Sequence, residues 1–419
     1  MLELDAIVLA DDPLSRVRIA GLSVRERAVR IARRVGATRV IVVEDRAQLA
    51  GVTSARVLVI RADQLVHTPL VAPLVASQAP LAIAVQNSTY AGALVASGHA
   101  ASEIIAQLAA GKQDSELIAG ATEIPAGAIA RHAIGTAGER RDAHKLLYKI
   151  LVKPQDNAIT RYLYRPVSFP LTRLLAWTPI TPNQISYLVG ALVVLGCWLT
   201  AHASFGYAIA GTCTVLAASY LDCCDGEIAR IKLTSSRYGA WIDTIIDELS
   251  SVGYMAALGW HCHLHFGPTY LGDPGWDPWL VAVAIGVVTY AVSIYGVYYN
   301  IIVAVGSANS QDYAGKFDVV PGTAPNRVKL LPTIKAIAPA RPLPPWLDFL
   351  ATYLPYMVRR DFISWGATLL AFAHLTQISF AIQIAGGIVA AIIVTIDHVK
   401  LRRLRRSLVR QGLAIEPPG

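Results

Sequence analysis

Four aspartates lie close together in the most apolar half of the 419-residue chain, in the segment DCCDGEIARIKLTSSRYGAWIDTIIDE. Asp222 and Asp225 are three positions apart, and Asp243 and Asp247 are four positions apart. Residues at these spacings share one face of a helix, so each pair is predicted to project from one side of its helix. Carboxylates within a bilayer are costly and as a rule functional. The segment therefore predicts a functional site.

The two pairs are predicted to meet in one pocket, because their helices are antiparallel neighbours joined by a short turn near TSSRYG. Four converging carboxylates would repel one another unless cations were bound. Mg²⁺ and Ca²⁺ prefer oxygen ligands, and paired metal ions stabilise phosphoryl transfer. Small residues at Gly226, Ala229 and Gly239 leave room for a ligand or a second backbone. Arg230 offers a guanidinium fork for a phosphate.

Two other roles would explain the aspartates: salt bridges with neighbouring basic groups, or an ion pathway in a transporter. Intramembrane carboxylates are functional by default, which disfavours simple salt bridges. A pathway needs acidic groups spread through several helices, whereas the first, fourth, fifth and sixth apolar segments carry none deep within them. A single clustered site is therefore favoured.

The composition indicates an integral membrane protein whose length allows two domains. The chain is 54% hydrophobic and 16% charged, whereas soluble domains carry about 25% charged residues, and its mean hydropathy is +0.45. The formal net charge of +8 favours contact with anionic lipid or phosphate-bearing substrates. No basic stripe with interleaved aromatic residues is present, so nucleic acid is not an expected partner. The five cysteines show no disulfide or zinc spacing.

Six apolar segments, each near the ~20 residues needed to cross a bilayer, are predicted to be transmembrane helices. They span residues 184–202, 207–231, 237–259, 279–303, 361–377 and 379–398. Lys and Arg concentrate in the long 304–360 connection and after residue 399, whereas the connections after the first, third and fifth helices carry none. The positive-inside rule then places both termini and the aspartates on the cytoplasmic side of the cell's inner (plasma) membrane.

The part before these helices alternates strands and helices, which predicts an α/β domain with a mostly parallel sheet. Strands are expected at 2–10, 38–45 and 55–63, with an amphipathic helix at 24–37. A Pro-rich stretch at 320–345 predicts a structured loop or linker, and the end of the tail is expected to be disordered. The expected organisation is a cytoplasmic α/β domain (1–139), amphipathic interfacial linker helices (140–183), an all-α six-helix membrane domain (184–400) and a basic cytoplasmic tail (401–419).

The aspartate segment resembles the signature of the CDP-alcohol phosphotransferase (CDP-alcohol phosphatidyltransferase) family, D-x2-D-G-x2-A-R-x8-G-x3-D-x3-D. Every spacing is kept, and eight fixed identities make a specific signal. TPNQIS (181–186), just before the first predicted membrane helix, also resembles the family. The residues that carry the signature are Asp222, Asp225, Gly226, Ala229, Arg230, Gly239, Asp243 and Asp247.

The resemblance implies a reaction in which an acceptor alcohol attacks the β-phosphate of a CDP-linked donor, CMP leaves and a phosphodiester forms. It implies two Mg²⁺ or Mn²⁺ ions on Asp222, Asp225 and Asp243, with Asp247 able to share one and to act as general base. It also implies a homodimer. Arg360 is expected to bind the acceptor's phosphate if the acceptor is phosphorylated. The residues expected at the nucleotide are Asp222, Gly226, Ala229, Arg230 and Gly239.

The front domain resembles a sugar-nucleotidyltransferase fold, with Asp63 at the position of that fold's metal-binding aspartate. The combination resembles bifunctional inositol-phosphate cytidylyltransferase/di-inositol-phosphate phosphate synthases. The glycine-rich loop that would hold the triphosphate is replaced by LADDPLSRV (9–17), whose Asp11 and Asp12 repel phosphate. The domain is therefore expected to have lost cytidylyl transfer and to serve as a scaffold or dimerisation module. A remnant regulatory nucleotide site is the alternative.

Two donors remain open: a soluble CDP-inositol-type molecule, suggested by the front domain, or CDP-diacylglycerol, which would give a phospholipid. A different class of function is also open, a non-catalytic membrane scaffold or a cation carrier that uses the aspartate cluster. The acceptor alcohol is not specified by the sequence, because acceptor contacts come from variable loops.

Overall fold

The computed structural model describes residues 3–127, 129–152, 159–272, 275–306, 312–324, 326–333 and 360–416, without the side chains of Arg360 and Asp361. The chain divides into two compact units. Unit 1 comprises Met1–Gln155, Phe169–Ile180 and Glu227–Thr234. Unit 2 comprises Asp156–Ser168, Thr181–Gly226 and Ser235–Gly419.

Unit 1 is built on a six-stranded sheet with the strand order β4-β1-β5-β8-β7-β9. Its strands are β1 (Asp5–Leu9), β4 (Arg39–Val43), β5 (Arg56–Arg61), β7 (Leu81–Gln86), β8 (Thr89–Ser97) and β9 (Thr122–Pro125). The pairs β1–β4, β1–β5 and β7–β9 are parallel, whereas β8 pairs antiparallel with both β5 and β7. The sheet is therefore mixed with a parallel majority, close to the prediction. Short strands form two further pairs: β2 (Arg18–Ile19) with β3 (Leu22–Ser23), and β6 (Leu65–Val66) with β10 (Arg131–His132).

Helices cover both faces of this sheet. They are α1 (Val24–Arg34), α2 (Thr68–Ala76) and α3 (His99–Ala109). Two further helices follow in the chain, α4 (Ala137–Lys149) and α5 (Arg165–Ala176). Side chains alternate across a strand, so Ala6 and Val8 of β1 pack in the cluster that contains residues of α1 and α2. Ile7 and Leu9 pack in the opposite cluster, which contains residues of α3. This arrangement confirms an α/β domain.

Unit 2 is mainly helical. Its helices are α6 (Pro182–Thr200), α7 (Phe205–Ile231), α8 (Arg237–Phe266), α9 (Pro278–Asn300), α10 (Arg360–Phe372) and α11 (Thr376–Arg410). Among the described residues, four helical stretches are long and apolar enough to cross a membrane: Pro182–Thr200, Phe205–Ile231, Pro278–Val305 and Thr376–Arg410. The chain is thus a membrane protein with four candidate spans. The other two predicted spans correspond to the more polar α8 and to α10, which has 13 residues.

The structure departs from the predicted loops near the C-terminus. Strands β11 (Phe317–Pro321) and β12 (Arg327–Pro332) form an antiparallel hairpin, and β13 (Ala414–Ile415) pairs with β12. Residues 334–345 of the predicted Pro-rich linker and 417–419 of the predicted disordered end lie outside the described residues. Helix α11 continues to Arg410, ten residues beyond the expected end of the membrane domain, because its basic stretch keeps a helical pattern in which Leu401 and Leu408 are buried.

Candidate active site

Three carboxylates meet between α7 and α8 in unit 2. One oxygen each from Asp222, Asp225 and Asp243 lies within 4.8 Å of the others. Asp225 is buried, and the other two are partly buried. An all-oxygen donor set suits hard cations such as Mg²⁺ or Mn²⁺, so the residues present fit a divalent metal. The structure thus brings together three of the four aspartates predicted from sequence.

Asp247 lies one turn beyond Asp243 on α8 and is partly buried. It is not part of the group of three carboxylates within 4.8 Å. A four-residue spacing corresponds to about 400° of helix rotation, so its side chain leaves nearly the same face as Asp243. This placement is compatible with a base beside a metal site.

Ser186 on α6 orients one of the carboxylates. Its hydroxyl donates to Asp225 Oδ2 at 2.5 Å, and the serine is 4% exposed. Helix α6 begins with a capping box in which Thr181 and Gln184 bond to each other's backbone N–H. The segment TPNQIS, recognised from sequence only as a family feature, therefore fixes the start of α6 and supplies a hydrogen bond to the candidate metal site.

Gly239 in the first turn of α8 is required by a close contact with α6. A Cβ atom at this position would lie 2.9 Å from Asn183 Oδ1 and 3.1 Å from Ser236 Oγ. Ser236 is the N-cap of α8 and accepts a hydrogen bond from the Gly239 N–H at 2.9 Å. A side chain would push Asn183 away, so the motif glycine permits close packing at the start of the helix that carries Asp243.

Glu248 is a partly buried carboxylate on α8 that the sequence analysis did not identify as a candidate residue. It accepts hydrogen bonds from the hydroxyls of Tyr290 at 2.5 Å and Tyr298 at 2.9 Å, both on α9. Glu248 follows Asp247 directly and therefore lies about 100° further around α8. Two hydroxyl bonds from one neighbouring helix fix the rotation of α8. The position of Glu248 directly after the motif residue Asp247 was the feature of the sequence that could have identified it.

The last turn of α7 belongs to unit 1, where Glu227 and Lys232 anchor it. Thr172 of α5 donates to Glu227 Oε2 at 2.5 Å, and Glu227 is fully buried. Lys232 Nζ donates to the carbonyls of Thr178 and Ile180 at 2.8 and 3.1 Å. These contacts hold the chain that follows α5 against the end of α7. Sequence analysis missed Glu227 because its partner lies 55 residues away.

The remaining predicted residues are placed as follows. Gly226 and Ala229 lie on α7 between Asp225 and Arg230. Arg230 lines a cavity in unit 1 together with Arg27 and His67. Arg360 begins α10, and its side chain lies outside the described residues, so its predicted role stays a prediction.

The two aspartates of the front-domain segment 9–17 are engaged with other groups of the protein. Asp11 pairs with Arg46 at 2.9 and 2.7 Å. Asp12 caps a short 3₁₀ helix, Pro13–Arg16, by accepting from the Leu14 N–H at 2.7 Å. Asp63, at the predicted metal position, forms an ion pair with Arg61. These carboxylates are therefore engaged with protein groups.

The histidine-rich segment HCHLH at the end of α8 makes structural hydrogen bonds. His261 contacts the carbonyl of His202 at 2.6 Å and the Thr376 hydroxyl at 3.1 Å. His263 contacts Asp277 Oδ2 at 2.5 Å. His265 contacts the carbonyl of Ala203 at 2.7 Å, so each of the three imidazoles has its own hydrogen-bond partner.

Known proteins are similar to this chain in the region that contains the three converging carboxylates. Residues 179–338 match the family described as CDP-alcohol phosphatidyltransferase. The chain is 30% identical over 167 residues to the bifunctional IPC transferase and DIPP synthase of Aquifex aeolicus, covering 39% of this chain and 36% of that protein. It is 35% identical over 125 residues to the protein of the same name from Rubrobacter xylanophilus, covering 30% and 28%.

A relative with a different name is the CDP-diacylglycerol–inositol 3-phosphatidyltransferase of Drosophila melanogaster, 33% identical over 90 residues, or 22% of this chain and 36% of that protein. The matches thus span about a third or less of the length of these curated relatives. The matched range 179–338 contains all eight motif residues and the three converging carboxylates. Residues 179–338 of this membrane protein therefore match the CDP-alcohol phosphatidyltransferase family over the whole aspartate motif.

Proposed function

We propose that the chain is a metal-dependent CDP-alcohol phosphotransferase, which transfers a substituted phosphate from a CDP-linked donor to an acceptor alcohol and releases CMP. The observation that carries the proposal is the set of three carboxylates within 4.8 Å of one another inside the range that matches the family. Relatives whose names specify DIPP synthesis and phosphatidyl transfer to inositol support a phosphodiester as the product.

In this proposal Asp222, Asp225 and Asp243 hold two Mg²⁺ or Mn²⁺ ions, with Asp247 sharing one. When bound, these ions offset the negative charge of the pyrophosphate and of the leaving CMP. Ser186 holds the Asp225 carboxylate in one orientation through its 2.5 Å hydrogen bond. Preorganised ligands of this kind lower the reorganisation needed in the transition state.

The acceptor hydroxyl oxygen forms a new bond to the donor's β-phosphorus, and the bond from that phosphorus to the bridging oxygen breaks. CMP leaves with the bridging oxygen, and the hydroxyl proton passes to the Asp247 carboxylate. Asp222, Gly226, Ala229 and Gly239 are proposed to contact the nucleotide, and Arg360 is proposed to bind the phosphate of a phosphorylated acceptor. The nucleotide role expected for Arg230 is not proposed, because Arg230 lines the separate cavity in unit 1.

The proposed membrane arrangement has six spans, with α8 and α10 added to the four candidate helices. Both termini and the aspartates lie on the cytoplasmic side of the plasma membrane, as the distribution of Lys and Arg favours. The proposed functional state is a homodimer. We keep the domain boundaries at 1–139, 140–183, 184–400 and 401–419 as the proposed functional division.

The front domain is proposed to be an inactive nucleotidyltransferase-like module that serves as a scaffold. The ion pair between Asp63 and Arg61 supports this loss, because it engages the carboxylate at the predicted metal-binding position. The replacement of the glycine-rich loop by LADDPLSRV supports it as well. The donor is either a CDP-inositol-type molecule or CDP-diacylglycerol.

The test is CMP release by the purified full-length protein with Mg²⁺ or Mn²⁺, a panel of CDP-linked donors, and inositol, inositol phosphates or glycerol phosphate as acceptors. We expect Asp247→Asn to lower CMP release by at least about 100-fold, as loss of a general base does. Asp318→Asn, which changes an exposed carboxylate on β11, is the control. Normal CMP release by Asp247→Asn would reject the catalytic assignment, and cation flux without any cytidine nucleotide would favour a carrier.

A further inference from the structure

A cavity of about 170 Å³ with a mainly apolar lining lies within unit 1. Its lining includes two arginines and a histidine, Arg27, Arg230 and His67, together with Thr68 and apolar side chains. None of the four motif aspartates lines it. A mainly apolar cavity with a few converging polar groups is the common form of a small-molecule site.

Arg27 presents a buried positive charge to this cavity. The side chain is 1% exposed, its Nη2 donates to the Ile231 carbonyl at 2.8 Å, and its Nε lacks a hydrogen-bond partner. Within the described part of the chain, Arg27 forms no ion pair with a carboxylate. Burial, with repulsion from Arg30 added, lowers its pKa to about 10, so the guanidinium is still charged near neutral pH. A buried cation without an anion is costly.

His67 and the start of α2 add unused hydrogen-bonding capacity. The histidine is 7% exposed, and its Nε2 lacks a partner among the described residues. It is the N-cap of α2 but makes no side-chain capping bond. The positive end of the helix dipole favours anions; Pro69 has no N–H and the Leu70 N–H donates to the His67 carbonyl at 3.0 Å, so the Thr68 backbone N–H is the donor that this helix end offers. Thr68, the first residue of α2, lines the cavity.

We propose that this cavity binds a phosphate group, held by Arg27, Arg230 and the N-terminus of α2. Guanidinium groups bind phosphate oxygens in pairs of hydrogen bonds. The volume of about 170 Å³ equals roughly five or six water molecules at ~30 Å³ each. It suits inorganic phosphate or the phosphate end of a small monoester, whereas a nucleotide needs a larger site, in the usual range of about 300–1,000 Å³.

A phosphate here would join three segments of unit 1. Arg27 lies on α1, His67 precedes α2, and Arg230 lies in the last turn of α7. Arg27 already donates to the Ile231 carbonyl, so an anion between the two arginines would strengthen an existing link. The phosphate bound in this cavity would therefore act as a regulatory or stabilising ligand. The inference does not rest on the proposed transferase activity, because phosphate binding is measured without donor or metal.

The test is a calorimetric titration of purified full-length protein with inorganic phosphate, in chelator to exclude metal-dependent binding at the aspartates. We expect saturable binding and a thermal midpoint that rises with phosphate concentration. Arg27→Met is expected to weaken binding about 10- to 100-fold, the effect of losing a charged hydrogen bond. The matched control is Arg30→Met. Arg30 lies on the same helix and donates to the Lys232 carbonyl, but it does not line the cavity.

A second variant keeps the proposal testable if Arg27→Met does not fold. Ile150 lines the cavity and is 41% exposed, so Ile150→Glu adds a repelling carboxylate at a tolerant position. Val152→Glu, at a 37% exposed position outside the lining, is its control. Stronger binding of glycerol phosphate than of phosphate would identify a phosphomonoester, and the reverse would identify the free anion. Absence of binding, or equal losses in test and control variants, would overturn the proposal.

Discussion

Replacing Ser186 with alanine removes the hydrogen bond that orients Asp225. The hydroxyl donates to Asp225 Oδ2 at 2.5 Å, and the serine is 4% exposed. Hydrogen bonds to charged groups contribute about 1.5–3 kcal/mol, and 1.4 kcal/mol corresponds to about a tenfold change in an equilibrium constant. Outer partners of metal ligands change metal affinity by about 10- to 100-fold. We therefore expect Ser186→Ala to raise the Mn²⁺ concentration for half-maximal activity by about 10- to 100-fold.

The assay is CMP release at increasing Mn²⁺, from which the maximal rate and the half-maximal metal concentration are obtained separately. If the serine acts by positioning a metal ligand, saturating metal restores most of the maximal rate. Ser250→Ala is the matched control, because Ser250 is also buried but its hydroxyl donates to the Ile246 carbonyl of its own helix. Its metal dependence is expected to stay within about twofold.

Two results would refute this reasoning. Unchanged metal dependence in Ser186→Ala would show that Asp225 is held without the serine or does not bind the metal. An equal fall in both alanine variants, with lower thermal midpoints, would show a general packing effect in the helical unit. Direct binding of Mn²⁺, measured by electron paramagnetic resonance in the absence of donor, separates metal affinity from catalysis.

Two further predictions concern Glu248 and His67. Glu248→Ala removes the acceptor for the Tyr290 and Tyr298 hydroxyls, so we expect kcat to fall about 10-fold or more with little change in metal dependence. Glu248→Gln retains one acceptor oxygen and is expected to lose less activity. Equal kcat values for the two variants would contradict a positioning role for Glu248. Burial, followed by the charge of Arg27 and of His132, lowers the pKa of His67 to about 4, below about 6.5 in an unfolded chain. The unfolded state thus binds more protons between these values, so stability rises with pH from about 4 to 6.5, by up to about 3 kcal/mol at 1.36 kcal/mol per pKa unit. Thermal midpoints of the wild type and of His67→Phe, measured between pH 4 and 6.5, test this pH dependence. Parallel pH profiles for the two proteins would contradict a contribution from His67.

The chemistry of the site was more predictable from sequence than its supporting contacts. The i, i+3 spacing of Asp222 and Asp225 specifies one helix face before any packing is known, and a short turn brings Asp243 to the same place. Ser186 and Glu248 could not be assigned in this way, because their partners Asp225 and Tyr290 lie 39 and 42 residues away. Such pairs depend on how α6 and α9 rotate against their neighbours, which spacing within one segment does not determine.

In the fold as well, local sequence patterns predict individual elements but not the contacts between distant segments. The continuous apolar run of β1 and the amphipathic pattern of α1 are local features of the sequence, and both elements were predicted within a few residues. Strand β13 has two residues and exists because the chain after α11 meets the edge of β12, so no local pattern marks it. Helix α10 ends at Phe372, five residues before the predicted end of the fifth span. His374, which follows, has a φ of 59°, a left-handed conformation that interrupts a helix.

The motif spacing also determines that α7 serves two functions on opposite faces. From Asp225 to Glu227 the helix turns about 200°, and from Asp225 to Arg230 about 140° once full turns are removed. Asp225 accordingly bonds to Ser186 of α6, whereas Glu227 bonds to Thr172 of α5 and Arg230 lines the cavity with Arg27. A change that lengthens α7 by one residue between Asp225 and Arg230 would rotate one face by about 100° relative to the other. The fixed gap in the signature therefore sets the angle around α7 between the face that carries Asp225 and the face that carries Glu227 and Arg230, in addition to the ligands themselves.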